Sequence, residues 1–561
     1  MKRRLSIALL ATVAATLIST NTEAQTYGGW VLDHDIMMPT DFAMLSQTQV
    51  FGTSRSMAMG GAFTSLGADL SSSVINPAGL GMYAHETLSF TPKLSIANSL
   101  NSGVPSWIGN SKTNFGFSNL GASFKLVENG KGSLIALNGA ITYNRLADYN
   151  TRTSFSSESL YDPTTDDLVP SIADIFIGQL AGAEIFPDSE GGMSYDNNPY
   201  FWPAQSAYKT YLIDPLSGNS GWGTNTIGHN ASVLSSMEMV QRGRADEYSF
   251  AIGGNVGNFL YFGATLGLQD INQVTEYTYQ EEYNYYSDEG YAYGSAADLD
   301  PLDYQASYTN IWQKTAISGV GYNLKLGLIA RPTRSLRIGV ALHSPTYYSL
   351  ARTYETSTAT NILGNASGLT PSEEFWVSSP QFIDNYEYSW NFRTPPKLLV
   401  GTSLQVGAIG IISLDYERQW YNSIRVSNAP GELTTEDYKA SYKGAYQPTN
   451  TFRLGIEVKP LPLVALRAGG GVSSSMVKDE TLFYSSPVAT DSSYITCGLG
   501  FQLSATTTLD LAYQYHHQNY SPYYLFFTET AADNSSVLRG SNLFETSMDR
   551  SFITATLTFR M

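Results

Sequence analysis

Strict alternation of apolar and polar residues recurs along most of this chain. In the final run, 552–561, five apolar residues alternate with Thr554, Thr556, Thr558 and Arg560. In 260–269, leucine, phenylalanine and alanine alternate with tyrosine, glycine, threonine and glutamine. One face of each run is apolar, and the other carries small, polar or charged residues. A period of two residues predicts β-strands with one face in an apolar environment.

About fourteen such segments follow one another, and the gaps between them alternate between tight turns and long loops. This is the layout of a bacterial outer-membrane barrel, whose closure leaves no unpaired sheet edge in lipid. We therefore predict an all-β fold: a 14-stranded antiparallel transmembrane β-barrel. The segments are 86–97, 113–127, 132–146, 246–257, 260–275, 312–330, 335–350, 384–405, 409–427, 445–459, 462–475, 491–503, 507–520 and 546–561.

The longest predicted loops differ in composition. Segment 276–311 holds eight acidic residues, nine tyrosines and no lysine or arginine. Two interpretations stay open for it: a solvated surface loop, or a divalent-cation site at Asp298, Asp300 and Asp303, whose spacing is not that of an EF-hand. We assign no metal site. The long extracellular loops are expected at 147–245, 276–311, 351–383 and 521–545.

Segment 147–245 is too long for a structureless loop in a compact fold. Within it, the run 171–185 predicts a short helix that covers the barrel mouth. Trp202 and Trp222 are expected to pack beside this helix.

Residues 1–24 have the organisation of a secretory signal peptide: a basic start, an apolar run over residues 5–18, and small residues at Thr22 and Ala24. This segment carries three bases and one acid, so cleavage before Gln25 changes the net charge from −17 to near −19. Such acidity argues against nucleic-acid binding. A single cysteine, Cys497, excludes an intramolecular disulfide. Its position in the alternation places it on the outward, lipid-facing side of its strand.

The stretch 52–84 does not alternate and is rich in glycine, alanine and serine. Near its end, Asn76 and Pro77 predict a turn, because asparagine suits a turn start and proline fixes φ. Such a segment is a poor strand and a broken helix. We therefore expect a compact insert that packs against the rest of the chain.

At this stretch the chain resembles the FadL-type outer-membrane transporters of long-chain fatty acids and other hydrophobic compounds, as a Bacteroidetes-like member. The resemblance is carried by the Asn76-Pro77-Ala78 triplet, the Gly60-Gly61 step and Arg55, and the later strand-turn-strand rhythm is similar. It implies an N-terminal hatch over 25–84 in the lumen of a barrel over 85–561. The chain departs from the family in the length of 147–245 and in ending on Met561 rather than on an aromatic residue.

The resemblance also implies a mechanism. A hydrophobic ligand would enter from outside through the loops, pass the hatch as it moves, and leave sideways through the barrel wall. The expected partners are outer-membrane lipid, a hydrophobic small molecule and, during biogenesis, the barrel-assembly machinery. We expect a monomer in the outer membrane of a Gram-negative bacterium.

Charged residues recur on the inward faces of neighbouring strands. Two interpretations stay open: a polar network that grips the hatch or contacts a ligand carboxylate, or a brace that fills a large lumen where buried charges need partners. A brace that touches the hatch would satisfy both. The residues are Asp415, Glu417, Arg453, Glu457, Arg467 and Asp510.

No catalytic residue or cofactor is assigned, because the six histidines show no metal-binding spacing and no G-x-S-x-G elbow occurs. The main alternative is an adaptor barrel of the PorV type, which resembles FadL but binds protein during secretion or surface attachment. Polar loop interiors would favour the adaptor, and an apolar pocket under the loops would favour the transporter.

Overall fold

The computed structural model describes most of the chain after the signal segment. The described residues are 37–101, 110–128, 133–159, 169–189, 191–193, 201–224, 232–284, 286–287, 290–291, 304–364, 374–378, 382–383, 388–407, 409–429, 434–478, 487–530 and 537–561.

Fourteen antiparallel strands form a closed barrel, which confirms the predicted fold. Strand β1 pairs with β2 on one side and with β14 on the other, with Thr87 opposite Arg560. The strands are β1 (Thr87–Asn101), β2 (Ser111–Glu128), β3 (Leu134–Asp148, continued as Thr151–Ser159), β4 (Ser232–Val256), β5 (Leu260–Asn284), β6 (Tyr304–Ala330), β7 (Leu336–His343 and Tyr347–Gly364), β8 (Tyr388–Arg393 and Lys397–Val406), β9 (Gly410–Trp420 and Arg425–Ser427), β10 (Pro448–Leu461), β11 (Val464–Ser473), β12 (Ala489–Gln502), β13 (Thr507–Tyr520) and β14 (Thr546–Arg560).

The two ends of the barrel are different. Tight turns such as 257–259, 462–463 and 503–506 lie at one end, and the long connections lie at the other. In outer-membrane barrels the short turns face the periplasm, so we refer to the periplasmic and extracellular ends. Outward rows are apolar as predicted: Leu266 and Leu324 are about half exposed, and Cys497 is exposed.

Several strands are much longer than the apolar alternation predicts. Strand β5 continues to Asn284 and β6 begins at Tyr304, so much of the predicted loop 276–311 is sheet. The predicted loops 147–245 and 351–383 likewise begin within strands. The predicted loop 147–245 also ends within a strand, β4. Strand β4 has 25 residues, whereas roughly 9–11 suffice to cross a bilayer. The upper parts of β3 to β7 therefore extend beyond the membrane on the extracellular side.

The sequence pattern missed these extensions because the apolar face changes sides above the lipid. On β5, the outward row becomes polar at Asp270 and Asn272, whereas the inward residues Tyr277, Tyr279 and Tyr283 are buried. Below the level of Asp270, contact with lipid favours apolar side chains on the outside of the barrel. Above it, the packed interior favours apolar side chains on the inside. The proposed cation site at Asp298, Asp300 and Asp303 lies outside the described residues.

The hatch enters the described structure at Met37 and contains four short helical segments inside the barrel. The Thr53 hydroxyl caps α2 by accepting from the Ser56 N–H, and the Asn76 side chain accepts from the Ala78 N–H where a 3₁₀ turn begins. No described helix is long and apolar enough to span a bilayer. The segments are α1 (Pro39–Leu45), α2 (Ser54–Ala58), α3 (Ser72–Ile75) and the 3₁₀ turn Pro77–Met82.

Further helices lie among the extracellular connections. Helix α4 (Ile172–Gly182) confirms the helix predicted over 171–185, and α5 (Trp202–Lys209) and α6 (Thr435–Ala445) accompany it. Trp222 packs in the same apolar cluster as α4, and its indole N–H donates to Ile185 O at 3.1 Å. Two 3₁₀ turns and several short strands complete this end: Ser217–Asn219, Tyr421–Ser423, Ile213–Pro215, Trp222–Thr224, Tyr286–Ser287, Gly290–Tyr291, Glu374–Ser378, Phe382–Ile383, Tyr523–Tyr524, Phe527–Thr530, Val537–Gly540 and Leu543–Phe544.

Two apolar clusters close the extracellular end above the lumen. The first, called the α4 cluster, joins α4 to inward residues of the strand extensions, including Phe155 and Met239, and to Tyr523 of the connection after β13. The second, called the α6 cluster, joins α6 to α1 of the hatch and to Trp390 and Phe392 of β8. The packing of α4 and α6 against the barrel beneath the loops is therefore largely apolar.

One buried carboxylate anchors α4 to the wall. Glu281 on β5 is fully buried and accepts hydrogen bonds from the Ser171 hydroxyl at 2.6 Å and the Ile172 N–H at 2.9 Å. The hydroxyls of Tyr279 and Tyr283 donate to the same carboxylate at 2.6 and 2.8 Å. Two of these four donors, the Ser171 hydroxyl and the Ile172 N–H, lie at the start of α4. Glu281 therefore positions the helix.

We predict that Glu281→Ala loosens α4, since each buried donor left without an acceptor costs roughly 1–3 kcal/mol. Limited proteolysis of the folded barrel should then cleave the 169–224 region faster than in the unmodified protein. Glu282→Ala, on the neighbouring outward position of the same strand, is the matched control. Equal cleavage rates for the two variants would contradict the anchoring role.

Candidate functional site

The hatch contacts the barrel wall through glycines. A Cβ atom on Gly455 or Gly469 would come within 2.5 Å of the backbone of Met59 or Gly60, and on Gly253 within 2.7 Å of Gly81 N. Real Cβ atoms do not approach so closely, so the hatch can lie directly on the wall at these glycines because they have no side chain. The wall glycines that face the hatch form what we call the glycine seat. Hatch backbone lies against Gly253, Gly263, Gly339, Gly455 and Gly469, and hatch side chains lie against Gly327, Gly401 and Gly498.

Asn76 connects two parts of the hatch to two wall strands. Its amide donates to Thr64 O at 2.6 Å and lies 3.3 and 3.4 Å from the carbonyl oxygens of Leu328 and Val340. Its side-chain oxygen accepts from the Ala78 N–H at 3.1 Å. Pro77 then supplies a fixed φ at the first position of the 3₁₀ turn. Asn76 therefore holds the turn and joins it to β6 and β7.

The Gly60-Gly61 step ends α2. Both residues have positive φ, +64° and +70°, which is the region that favours glycine. The carbonyl of Gly60 accepts a hydrogen bond from the Tyr494 hydroxyl on β12 at 2.7 Å. Both positions thus favour glycine because of their backbone angles. Gly60 also binds the hatch to the wall through its carbonyl.

Arg55 joins the hatch to a buried charge cluster on the wall. Its Nε donates to Glu457 Oε2 at 3.0 Å, and Arg467 Nε donates to the same oxygen at 2.7 Å. Arg467 Nη1 in turn donates to Asp510 Oδ1 at 2.6 Å. Glu457 is 1% exposed, so two guanidinium groups neutralise a carboxylate that could not stay charged there alone.

The other predicted charges form a separate group higher in the lumen. Glu417 accepts from Arg453 Nη2 at 2.7 Å and lies 3.7 Å from Lys397 Nζ. Asp415 instead accepts from the Thr64 N–H of the hatch at 2.7 Å. The six residues are therefore split into two groups, and both groups touch or border the hatch.

Two cavities occupy the lumen above the seated part of the hatch. The upper one has a volume of about 260 Å³ and the lower one about 140 Å³, and the hatch segment 45–50 forms a wall of both. Phe155, Met239 and Tyr523 of the α4 cluster border the upper cavity. Both linings mix apolar side chains with amides, hydroxyls and charges, so the lumen suits an amphipathic molecule.

Arg352 is the most exceptional group in the upper cavity. Its side chain is 4% exposed, and its Nε and Nη1 atoms have no hydrogen-bond partner. Asp41 of α1 borders the same cavity; burial raises the pKa of this carboxyl, while Arg352 and the Met38 N–H act in the opposite direction. Buried donors without acceptors are costly, so the cavity presents an unsatisfied cation to whatever occupies it.

The barrel wall is interrupted between β2 and β3. Their pairing ends at Asn119 opposite Asn144, and among the described residues no pairing joins 111–118 of β2 to the part of β3 beyond Asn144. We call this unpaired stretch the seam. Above Asn144, β3 bends inward toward β1, where Lys93 Nζ donates to Asp148 Oδ2 at 2.6 Å and Asn101 Nδ2 donates to Ser154 O at 2.7 Å.

The hatch and the lower cavity both reach the seam from inside. The Gln49 N–H donates to Leu146 O at 2.8 Å, which satisfies part of the freed edge of β3. Asn144, Arg145 and Leu146 also line the lower cavity. On the outer side Phe115 is 67% exposed, so the seam separates a lumenal cavity from the lipid-facing surface.

Comparison with solved structures gives the fold. A FadL homologue from Pseudomonas aeruginosa superposes with a TM-score of 0.51 at 12% identity, covering 91% of this chain and 99% of that one. The chain has the fold of the FadL-type transporters. The FadL-type barrel and its outward apolar rows are those of a Gram-negative outer-membrane protein.

Two toluene transporters are also similar to this chain. TodX of Pseudomonas putida has a TM-score of 0.46 at 12% identity, covering 91% of this chain and 99% of its own. TbuX of Ralstonia pickettii has a TM-score of 0.43 at 14% identity, with coverages of 91% and 98%. No protein-family model and no curated protein sequence matches the chain.

Sequence reasoning about this FadL-type barrel found the hatch residues and lumenal charges but missed the glycine seat, Arg352 and the seam. The seat had a visible signal, because glycines recur on the inward rows of neighbouring strands. Arg352 lies in a segment predicted as loop, where inward and outward positions cannot be distinguished. The seam has no local signature, since it depends on where β3 leaves β2.

We predict that Gly327→Ala destabilises the seated hatch, because the added methyl would lie well inside contact distance of Asn76 Oδ1. Overpacking of this kind costs roughly 1–3 kcal/mol. The midpoint of denaturant unfolding of the purified barrel measures the effect. Gly116→Ala is the matched control, since among the described atoms outside its chain neighbours an added Cβ there has one atom within 4 Å, Arg145 Nη2 at 3.8 Å. An unchanged midpoint for Gly327→Ala would contradict the close contact.

Proposed function

We propose that the protein takes up long-chain fatty acids or other hydrophobic small molecules across the outer membrane by passive diffusion. The ligand enters among the extracellular loops, occupies the two lumenal cavities in turn, and leaves sideways through the seam. The observation that carries this proposal is that the lower cavity is lined by Asn144, Arg145 and Leu146, at the point where β2 and β3 separate.

The driving force is the transfer of apolar surface out of water, at roughly 25 cal/mol per Å². A lateral exit delivers the ligand into lipid, so it passes neither the seated hatch nor an aqueous lumen below the hatch. The glycine seat supports this route, because a hatch whose backbone lies on the wall blocks the axial path. The hatch movement required is then confined to the segment 45–50 between the cavities.

The apolar interior under the loops favours transport over the adaptor function. Both extracellular clusters are built from aliphatic and aromatic side chains.

Arg352 favours a fatty acid over a neutral hydrocarbon. A carboxylate placed in the upper cavity would supply the acceptors that its Nε and Nη1 lack. An apolar tail would then lie against side chains such as Met44 and Ile317 of the same lining.

We predict that cells expressing the protein accumulate a labelled long-chain fatty acid faster than cells without it. Arg352→Gln should lower the apparent affinity roughly 10- to 100-fold, because a hydrogen bond to a charged group contributes roughly 1.5–3 kcal/mol. Uptake of a labelled small aromatic hydrocarbon should stay unchanged in this variant. Arg242→Gln, an exposed outward arginine on β4, is the control.

The assay separates the candidate functions. Uptake of the hydrocarbon alone would retain transport and reject the fatty acid. No uptake of either compound by a barrel shown to be folded would contradict transport and favour the protein-secretion adaptor.

A further inference from the structure

Arg145 occupies the lower end of the seam. It is the first residue of β3 beyond the last β2–β3 pair, Asn119 with Asn144. The register of β3 against β4 also shifts between Arg145 and Ala147, which marks the inward bend. Arg145 thus lies at the junction where the paired wall ends.

The environment of Arg145 is unusual for its position. It follows Ile141 and Tyr143 on the outward row, and Ile141 is 53% exposed, yet Arg145 is only 7% exposed. A buried cation on a lipid-facing row needs a specific partner. Packing against neighbouring side chains alone therefore does not explain why an arginine is buried here.

A compact polar cluster supplies that partner. Arg145 Nε lies 2.6 Å from Asp246 Oδ1, and its Nη2 donates to the Tyr143 hydroxyl at 2.9 Å. The Tyr143 hydroxyl donates to the same Asp246 oxygen at 2.9 Å, which closes a triangle of contacts across β3 and β4.

The same side chain lies between the lower cavity and β2. Arg145 lines the lower cavity, and, apart from the chain neighbours of Gly116, its Nη2 is the one described atom within 4 Å of a Cβ placed on Gly116 of β2. Gly116 is paired with β1 but not with β3, and it lies between the outward residues Phe115 and Phe117. Arg145 therefore fills the space between the cavity and the free edge of β2.

We propose that Arg145 is the gate of the seam, held closed by Asp246. When the Arg145–Asp246 ion pair opens, the guanidinium leaves the edge of β2 and the lower cavity communicates with the lipid. Asp246 keeps a second cation in this state, because Arg244 Nε lies 2.7 Å from its other oxygen. Opening therefore does not leave the carboxylate unpaired. This inference rests on the lateral exit of the proposed function.

Cysteine labelling tests the gate without any transport assay. In a Cys497→Ser background, Gly116→Cys places a thiol beside Arg145, and a water-soluble maleimide measures its accessibility in the purified barrel. Adding Arg145→Ala should increase the labelling rate roughly 10-fold, the size of effect expected when a charged hydrogen-bonded group is lost. Asp246→Asn, which keeps the side-chain volume, should increase the rate in the same direction.

Arg152→Ala is the matched control. Arg152 is on the same strand and pairs with Glu238, but both side chains are 45% exposed. Exposed ion pairs contribute little, so the labelling rate should stay within about 2-fold of the background protein. Labelling that is equally slow in Arg145→Ala, Asp246→Asn and the control, in barrels shown to be folded, would overturn the gate.

Fatty-acid uptake by the same variants, without the added cysteine, connects the gate to transport. Arg145→Ala and Asp246→Asn should raise the initial rate of uptake above that of Arg152→Ala. If all three variants take up the compound at the same rate, transport is supported and the gating role of Arg145 is contradicted. A protein that takes up nothing would lose the proposed function, and the labelling rates would still decide whether Arg145 closes the seam.

Discussion

The structure depends on the direct contact between the backbone of the hatch and a wall that lacks side chains at the contact points. A barrel in lipid satisfies its backbone groups mainly within its own sheet, so strands of the wall cannot separate at each point where the insert touches them. Gly455, Gly469 and Gly253 allow the insert to lie against the closed sheet without disturbing its hydrogen bonds. Short inward residues therefore position the hatch before any polar contact is added.

The charges of the lumen then select one arrangement of this insert. Van der Waals packing is not directional. The Arg55–Glu457 ion pair and the Asp415 contact with the Thr64 N–H, in contrast, have defined partners and geometry. Both carboxylates are buried, so moving the hatch would take one of two guanidinium partners from Glu457 and the Thr64 N–H donor from Asp415, which is costly. The two interpretations of the lumenal charges converge here, because the residues that brace the lumen are also those that touch the hatch.

The seam is the one described place where a wall strand leaves its neighbour, and the molecule compensates for it locally. The freed edge of β3 is met by Gln49 of the hatch, and its bend is held by contacts with Lys93 and Asn101 of β1. Arg145 and Asp246 supply a polar closure where backbone pairing is missing. Such a closure can open at lower cost than a ladder of strand hydrogen bonds, because few groups change partners and one of them retains a second ion pair.

The sequence by itself determined the barrel, the number of its strands, the inserted hatch and helix α4, because these features repeat with a short period or lie within one continuous segment. It also identified the lumenal charges, since inward position follows from alternation, and Asn76, which suits the start of a turn, whereas Arg55 was identified by the family resemblance. Only the tertiary structure decided how these residues are paired, which glycines seat the hatch, where the strand extensions end, and where the wall is interrupted. These features join residues hundreds of positions apart, such as Arg55 with Glu457, and no local pattern records which strand faces a given point of the hatch. The change of the apolar face above the lipid has the same origin, because the solvent outside a strand depends on its height in the membrane.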